Sequence, residues 1–238
     1  MRIIICHVVL FAIIVFSIQS YAQERELLFR ENFDSIDHWR PFSFPRIKKH
    51  TQYSVVRVDH EAYLKAESDA SASAIIHNKE FNVYEYPRMR WKWRIENVYR
   101  KGNVKEKSGD DYPIRVYVMF KYDPQKASFG QKIKYGLAKT LYGEYPPHSS
   151  LNYIWANRKE ETGLVTNPFA DEAKMVIREA GPEKAGQWVE EDVNIPIDYR
   201  NAFGIDPPEI ACIAVMNDSD NTGESSVSFI DYIEVGRR

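Results

Sequence analysis

Short segments in which apolar and polar residues alternate recur along almost the whole chain, and they limit the fold more than any other feature. The segment MRWKWRI at residues 89–95 alternates without a break, and IRVYVMF at 114–120 does the same. Such β-branched and aromatic runs, separated by Gly, Pro, Asn and Asp, are typical of strands. The strands predicted in this way are 27–33, 53–59, 63–68, 73–81, 89–95, 114–120, 150–157, 173–180, 187–195, 209–217 and 227–235. The sequence therefore predicts an all-β, mainly antiparallel fold, a jelly-roll-like β-sandwich.

The segment 124–147 departs from this pattern. Apolar residues recur there at every fourth position, which suits one face of a helix, and lysines occupy the other positions. Gly143 and the two prolines at 146–147 would end such a helix. A basic amphipathic helix can lie on a membrane surface, but the prediction here is a helical insertion packed over one end of the sandwich. A second short helix or turn is predicted at 197–204, ending at Gly204.

The first 22 residues have the composition of a secretory signal peptide. Arg2 precedes an apolar run, and Ser20-Tyr21-Ala22 fits a cleavage site of the small-x-small type. The alternative is an uncleaved membrane anchor, which the short apolar run disfavours. Cleavage after Ala22 predicts a periplasmic or secreted protein whose residues 23–238 form a single domain, and no later segment is apolar enough to span a membrane. Only Cys212 remains in that part, so no internal disulfide is expected.

The overall charge is close to balanced, with 32 basic and 34 acidic residues and a formal net charge of −2. Proteins that bind nucleic acid as their main partner usually carry a basic surface. The composition therefore argues against a nucleic-acid partner, and charge must act locally if it acts at all.

A row of three cations on one strand is the first candidate for a binding site. Alternation places Arg90, Lys92 and Arg94 on the face opposite the tryptophans of the same strand. Like charges in such a row repel one another unless they are neutralised. Acidic neighbouring strands or an anionic ligand, such as a uronic-acid polymer or a phosphate, would do so.

The next strand continues this theme, because Arg115 and Tyr117 share one face of it. The two carboxylates that precede it, Asp110 and Asp111, are candidate counter-ions for the arginine. They are also candidates for the acid or base of an enzyme, although two aspartates after a glycine more often form a polar turn. No metal-ligand spacing of histidines, nucleophile motif or phosphate-binding glycine loop accompanies them.

The segment LNYIWAN supplies the residue types that bind sugars. Aromatic rings cover the apolar face of a sugar, while amides and charged groups pair with its hydroxyls. Asn152, Tyr153 and Trp155 are of these types, as is Trp188. The alternative is that the aromatic residues belong to the core.

The loop NDSDNTGE is rich in oxygen ligands. Asp218, Asp220 and Asn221 lie in it, and six to eight such oxygens are what calcium requires. The alternative is an ordinary turn. A second candidate metal group is formed by Asp231, which alternation places on an apolar face, and Glu31, if the first and last strands are neighbours.

Several motifs together resemble the bacterial envelope family called domain of unknown function 3047. They are WKWR at 91–94, GDD with RVYV at 109–118, LNYIWAN at 151–157, GQWVEEDVNIPIDYRNAFG at 186–204 and MNDSDNTGE at 216–224. The resemblance covers nearly the whole chain after the leader. It implies an exported protein and gives no activity.

At the level of fold, the opening FDSIDHW and the ending FIDYIEV also resemble jelly-roll carbohydrate-binding modules. That resemblance implies a structural calcium near the joined ends of the chain. The function predicted from the sequence is an exported module that binds a glycan of the cell envelope, and the cation row suggests an anionic glycan. The alternatives are an envelope structural or assembly protein without a small ligand, and an enzyme that acts on polysaccharide through Asp110 or Asp111.

Overall fold

The structure is a computed structural model that describes residues 26–125 and 145–237, together with the single positions 130, 135 and 139. The predicted leader at residues 1–22 lies outside the described residues. The strands, in chain order, are β1 Leu27–Glu31, β2 Trp39–Phe42, β3 Gln52–Val58, β4 Glu61–Asp69, β5 Ala72–His77, β6 Phe81–Asn82, β7 Arg88–Ile95, β8 Arg115–Phe120, β9 Ser149–Ala156, β10 Gly163–Asn167, β11 Ala170–Ala180, β12 Val189–Asn194, β13 Ile210–Asp218 and β14 Ser225–Gly236.

The strands form two sheets. The six-stranded sheet has the order β12-β7-β14-β4-β3, and β1 pairs with the last part of β14. The eight-stranded sheet has the order β10-β11-β9-β8-β13-β5-β2, and β6 pairs with β13. The pair β9–β11 is parallel, and the other pairs are antiparallel. The predicted jelly-roll-like β-sandwich is therefore confirmed.

The core lies between the two sheets and is dominated by aromatic residues. Trp91 and Trp93 of β7 are fully buried, as the alternation predicted. Their rings pack against Tyr153 and Trp155 of β9, with centroid distances of 5.2 and 5.9 Å. Burying one large apolar side chain stabilises a fold by about 1.5–3 kcal/mol, so these four rings make a substantial contribution to the stability of the sandwich.

The predicted strands are present, with two differences. The predicted strand 73–81 is split into β5 and β6, and two strands were missed. The missed β2 has the sequence WRPF, in which Pro41 lacks the N–H that a ladder requires. The missed β10 is a short, largely exposed edge strand. Both carry a weak alternation signal because only part of each strand contacts the core.

Loops cover parts of the outer face of the eight-stranded sheet. Val104 and Tyr112 of the connection between β7 and β8 pack on Ile154 and Met175. The connection between β2 and β3 packs on Ala74 and its neighbours in the same way. Side chains on this face are therefore often buried, although they point away from the sandwich core.

A helix, α1 Ile195–Phe203, follows β12 directly, close to the position predicted from the sequence. The Asn194 side chain accepts a hydrogen bond from the Ile197 amide at its start, and Gly204 ends it with a φ of 72°. The positions 130, 135 and 139 of the predicted insertion are helical, and the rest of 126–144 lies outside the described residues. In the described part of the chain, no helix is long and apolar enough to cross a membrane.

Candidate functional site

The residues predicted from the sequence to form a site are distributed over different parts of the sandwich. The cation row lies on the outer face of the six-stranded sheet, while Arg115, Tyr117 and Asn152 lie on the outer face of the eight-stranded sheet. Tyr153 and Trp155 are fully buried in the core between the sheets. The prediction that these two rings contact a ligand is therefore wrong, because the core, and not solvent, surrounds them.

Arg115 is the centre of a buried charged network. Its Nε donates to Asp218 Oδ1 at 2.9 Å, and its Nη2 is bonded to Asp218 Oδ2. Nη2 also donates to the main-chain carbonyl of Asp110 at 2.6 Å. The guanidinium carbon lies 4.4 Å from the centroid of the Tyr112 ring. The network fixes the start of β8 to the end of β13.

Asp111 binds the turn that follows β13. Its Oδ2 accepts from the Thr222 amide at 2.6 Å, and its Oδ1 accepts from the Asn221 side chain at 3.0 Å. The Asp111 carbonyl in turn accepts from the Asn157 side chain at 2.7 Å. The two loops that the sequence singled out, GDD and NDSDNTGE, therefore lie against each other and are held together by hydrogen bonds.

This region holds more carboxylates than cations. Burial raises the pKa of Asp218 to about 8; the Arg115 guanidinium opposes this shift and Asp111 adds to it. Burial and the charge of Asp111 also raise the pKa of Asp220. Oxygens of Asp111, Asp218 and Asp220 lie within 4.8 Å of one another, which is a spacing that a metal ion could bridge.

The carboxylate oxygens of Asp218 and Asp111, which would bind such an ion, already accept hydrogen bonds within the protein. Both oxygens of Asp218 are bonded to Arg115, and both oxygens of Asp111 accept hydrogen bonds from the turn. A calcium ion would have to share these oxygens with a guanidinium group, which is an unfavourable neighbour for a divalent cation. The carboxylates thus fit the arginine better than they fit calcium, and the predicted calcium site stays a prediction.

Asn152 and Tyr117 are direct cross-strand neighbours on the outer face of the eight-stranded sheet. Asn152 is 1% exposed, and its Oδ1 has no hydrogen-bond partner. The Tyr117 hydroxyl lies 3.5 Å from the sulfur of Met216. The structure brings these two predicted residues together, but the ring of Tyr117 is half-buried and little of the pair contacts solvent.

The cation row has acidic partners along its length. Arg90 binds Asp192 at 2.7 Å, which also pairs with Arg88, and Glu190 lies opposite Lys92 in the register of β7 and β12. Arg94 binds Glu96 at 2.7 Å. The interpretation that acidic neighbouring strands neutralise the row is therefore the one that the structure supports.

A β-bulge determines the position of Asp231. Ile230 pairs with Trp93, whereas Tyr232 pairs with Lys92, so Asp231 is an extra residue in β14. The bulge moves Asp231 to the outer face, where it binds Lys92 at 2.8 Å. The prediction that Asp231 shares an apolar face with Ile233 is wrong for this reason. The first and last strands are neighbours as expected, but Asp231 is neutralised by a lysine.

Glu31, the other predicted ligand near the chain ends, has a different environment. Its oxygens accept from the Phe33 amide at 2.8 Å and from the Trp39 indole at 3.2 Å. His77 Nε2 lies 3.9 Å away, and Glu31, His38 and His77 have the spacing of a metal site. However, His77 Nδ1 accepts from the Lys79 amide, so the hydrogen of the neutral ring is on Nε2 and no lone pair faces Glu31.

Three half-buried aromatic side chains on the outer face of the six-stranded sheet form a surface that we call the aromatic platform: Tyr63, Trp188 and Phe229. The ring centroids of Tyr63 and Trp188 are 5.0 Å apart, and those of Trp188 and Phe229 are 6.5 Å apart. The Arg94 guanidinium carbon lies 4.5 Å from the Phe229 centroid and 5.4 Å from the Trp188 centroid. The Lys92 ammonium also lies 5.4 Å from the Trp188 centroid.

The sequence contains part of the signal for this platform. Trp188 precedes Val189, which pairs with the buried Trp93, so alternation alone places Trp188 on the outer face beside Arg94. Phe229 pairs directly with Arg94. Tyr63 could not be found in this way, because nothing local in the sequence shows that β4 lies beside β14.

Solved structures with similar folds include sugar-binding proteins. The family 11 carbohydrate-binding module of cellulosomal cellulase Lic26A-Cel5E of Clostridium thermocellum has a TM-score of 0.45 and 9% identity, covering 89% of this chain and 93% of that chain. The family 30 carbohydrate-binding module of cellulosomal cellulase Cel9D-Cel44B from the same organism has a TM-score of 0.39 and 7% identity, covering 82% of this chain and 87% of that chain. Winged bean acidic lectin has a TM-score of 0.38 and 10% identity, covering 87% of this chain and 96% of that chain. Similarities this low carry no argument about what this chain binds.

No curated protein sequence matches the chain. The family model described as Protein of unknown function (DUF3047) matches residues 37–234, which is most of the chain. This match confirms the resemblance that the sequence motifs indicated. The chain belongs to the DUF3047 family.

Proposed function

We propose that this protein is an exported module that binds a glycan, and that the aromatic platform is its binding surface. The observation that carries the proposal is the position of Trp188, whose ring lies close to those of both Tyr63 and Phe229 on an outer sheet face. Aromatic rings grouped in this way can cover the apolar faces of successive sugar rings. Lys92 and Arg94 beside them would donate hydrogen bonds to sugar hydroxyls.

The charge balance of the face bears on which glycan it would take. Arg90, Lys92 and Arg94 each have a carboxylate within 2.8 Å. An anionic glycan would have to compete with these carboxylates, whereas a neutral glycan could use the ion pairs as they stand, as donors and acceptors side by side. We therefore expect a neutral glycan to bind at least as well as an acidic one.

The experiment is isothermal titration of the protein with laminarihexaose, cellohexaose, chitohexaose and oligogalacturonate, which sample neutral and acidic chains. We expect at least one of them to bind, and Trp188→Ala to weaken that binding by at least about tenfold, as loss of a central aromatic contact does. Phe169→Ala is the matched control, because Phe169 is an exposed ring outside the platform, 57% accessible to solvent.

Two results would overturn the proposal. One is that none of the saccharides binds the wild-type protein. The other is that Trp188→Ala and Phe169→Ala bind equally well while both remain folded. If oligogalacturonate binds much more tightly than the neutral saccharides, the platform remains the proposed binding surface, and its ligand is the anionic glycan that the cation row suggested.

A structural role without a small ligand is the second candidate, and the buried Arg115 network favours it. The side chain of Asp111 is buried, and its carboxylate binds the turn at Asn221 and Thr222. The enzymatic alternative has less support, since Asp110 and Asp111 are 4% and 0% exposed and an acid or base must reach its substrate. Absence of glycan binding, combined with strong destabilisation by Asp111→Ala, would favour the structural role.

A further inference from the structure

A cleft of about 520 Å³ lies at one end of the sandwich, apart from every residue that the sequence singled out for binding. It is bounded by the loop after α1, by the end of β8 and by the residues that follow β6. Its volume is within the range of sites that hold small molecules or part of a chain. Tyr84 and Ile205 in its walls are 44% and 60% exposed, so both side chains are accessible to a ligand in the cleft.

The walls of the cleft are fixed by hydrogen bonds and by prolines. The Tyr84 hydroxyl donates to the carbonyl of Pro207 at 2.7 Å, and Pro208 follows directly. The main chain that follows this loop is held from two sides, by the Val83 amide, which donates to the Glu209 carbonyl at 2.8 Å, and by the Lys121 amide, which donates to the Ile210 carbonyl at 2.8 Å. Because the walls are held in place, a ligand would enter a site that already has its shape, and little binding energy would be lost in ordering it.

The floor of the cleft is aromatic. Tyr122 stacks on Tyr135 with centroids 3.8 Å apart, and Tyr199 packs edge-on against Phe120 at 4.6 Å. Tyr122 and Tyr199 are almost completely buried, whereas Tyr84 is 44% exposed, so Tyr84 is the accessible one of these three aromatic side chains. The cleft thus combines one accessible aromatic face with a rigid apolar floor.

Polar groups of both kinds surround the ring of Tyr84. The Lys121 ammonium and the carboxylates of Asp123 and Asp206 line the same cleft, as does the ring of His148. Lys121 and Asp206 are each already part of an ion pair, with Glu80 and Arg200. Donors and acceptors mixed around an aromatic face suit a ligand with many hydroxyls, whereas a lipid would leave these charges unsolvated and a polyanion would meet the carboxylates.

The cleft and the aromatic platform are at opposite ends of β12. Trp188 immediately precedes this strand of 6 residues, and α1, which carries Tyr199, immediately follows it. At about 3.3 Å per residue the strand alone separates them by roughly 20 Å. A single sugar ring therefore cannot contact both sites.

From this geometry we propose that the cleft at Tyr84 is a second saccharide-binding site, which holds a sugar ring against the face of Tyr84. The proposal adds a site to the proposed function and does not depend on the platform, since each site has its own aromatic ring. A protein with two such sites could hold two chains, or two points of one long chain.

The experiment is isothermal titration of laminarihexaose, cellohexaose and chitohexaose into the wild-type protein, Tyr84→Ala, Trp188→Ala and the double variant. We expect a saccharide to bind the wild-type protein at two sites, each single variant to retain one site, and the double variant to retain none. Tyr84→Phe keeps the ring and loses only the hydroxyl that holds Pro207. Because the sugar is proposed to lie against the ring, this variant should retain the cleft site.

The outcomes separate this proposal from the proposed function. If Trp188→Ala abolishes all saccharide binding and Tyr84→Ala changes nothing, the cleft proposal is overturned and the platform stands. If Tyr84→Ala abolishes all binding and Trp188→Ala changes nothing, the cleft stands and the platform does not. Failure of every saccharide to bind the folded wild-type protein overturns both.

Discussion

The ring of Trp188, which directly precedes β12, lies 5.0 Å from the ring of Tyr63 in β4, although two other strands of the same sheet lie between β12 and β4. Neighbouring strands are about 4.8 Å apart, so the main chains beneath the two rings are separated by roughly 14 Å. The two side chains reach towards each other above β7 and β14. The resulting surface is made by four strands together, and no single stretch of sequence contains it.

Replacing Arg94 should separate binding from stability. Arg94 is about one-third exposed and its ion pair with Glu96 is at the surface, so Arg94→Ala should change the free energy of unfolding by less than about 1 kcal/mol. The same change should weaken glycan binding several-fold, because the guanidinium lies over two rings of the platform. Urea unfolding and isothermal titration on one preparation would check both. Arg94→Lys, which keeps the charge and loses the planar group, shows whether charge alone suffices.

Replacing Arg115, unlike replacing Arg94, should strongly destabilise the protein. Arg115→Met leaves Asp218 buried without its partner, and loss of one member of a buried pair costs about 3–5 kcal/mol. Adding Asp218→Leu should recover part of the loss, because the carboxylate left without its main partner is then removed. Urea unfolding of the single and double variants measures this, with Arg94→Ala as the surface arginine control. Losses that simply add in the double variant would contradict the pairing.

The titration of His77 should make a contribution that lowers the stability of the protein as the pH falls below neutrality. Burial lowers the pKa of His77, while the nearby carboxylate of Glu31 opposes that shift and the charges of His38 and Lys79 add to it. In the unfolded chain a histidine takes up its proton near pH 6.5. Between that pH and the lower pKa of the folded protein, the unfolded state binds more protons, so the free energy of unfolding decreases as the pH falls.

The measurement is the thermal midpoint of the wild-type protein and His77→Asn from pH 7.5 to pH 5. The asparagine keeps an acceptor for the Lys79 amide and cannot take up a proton. We expect a shallower pH dependence in this variant, and an unchanged dependence in His60→Gln, which alters an exposed histidine. An identical slope in all three proteins would show that His77 has no part in the effect.

Calcium should have little effect on the thermal midpoint. A ligand that binds only the folded protein raises its stability, so a calcium site would appear as a higher midpoint with calcium than with EDTA. We expect equal midpoints, because Arg115 and the donors of the 221–222 turn already satisfy Asp218 and Asp111. A clear increase that disappears in Asp220→Asn would instead establish the metal site that the sequence suggested.

The sandwich could be predicted well from the sequence because the alternation pattern that indicates a strand lies within the strand itself. Alternation in each strand tells which side chains face the core, and the buried Trp91 and Trp93 followed directly from it. The order of the strands is not local, since each strand must find partners far away in the chain. For that reason the acidic partners of the cation row were one of two alternatives, and the platform residue Tyr63 was missed.

The candidate sites were harder to predict because aromatic residues serve the core and the surface alike. Tyr153 and Trp155 have the residue types of a sugar site and lie in the core, whereas Trp188 has the same chemistry and lies outside. The cleft at Tyr84 collects residues from four separate segments, which are Tyr84, 121–123, His148 and 199–209. Only the tertiary structure brings them together.

The extra residue in β14 also determines which changes in chain length this protein can tolerate. On one side of Asp231 the strand pairs with β4, and on the other side it pairs with β1, while β7 runs along both parts. Deleting Asp231 would remove the bulge and leave Tyr232 and Glu234 outward and Ile233 and Val235 inward, because Tyr232 would then follow Ile230 in regular alternation. The last strand can therefore lose this one residue and keep both halves in phase with the core, at the cost of the ion pair between Asp231 and Lys92.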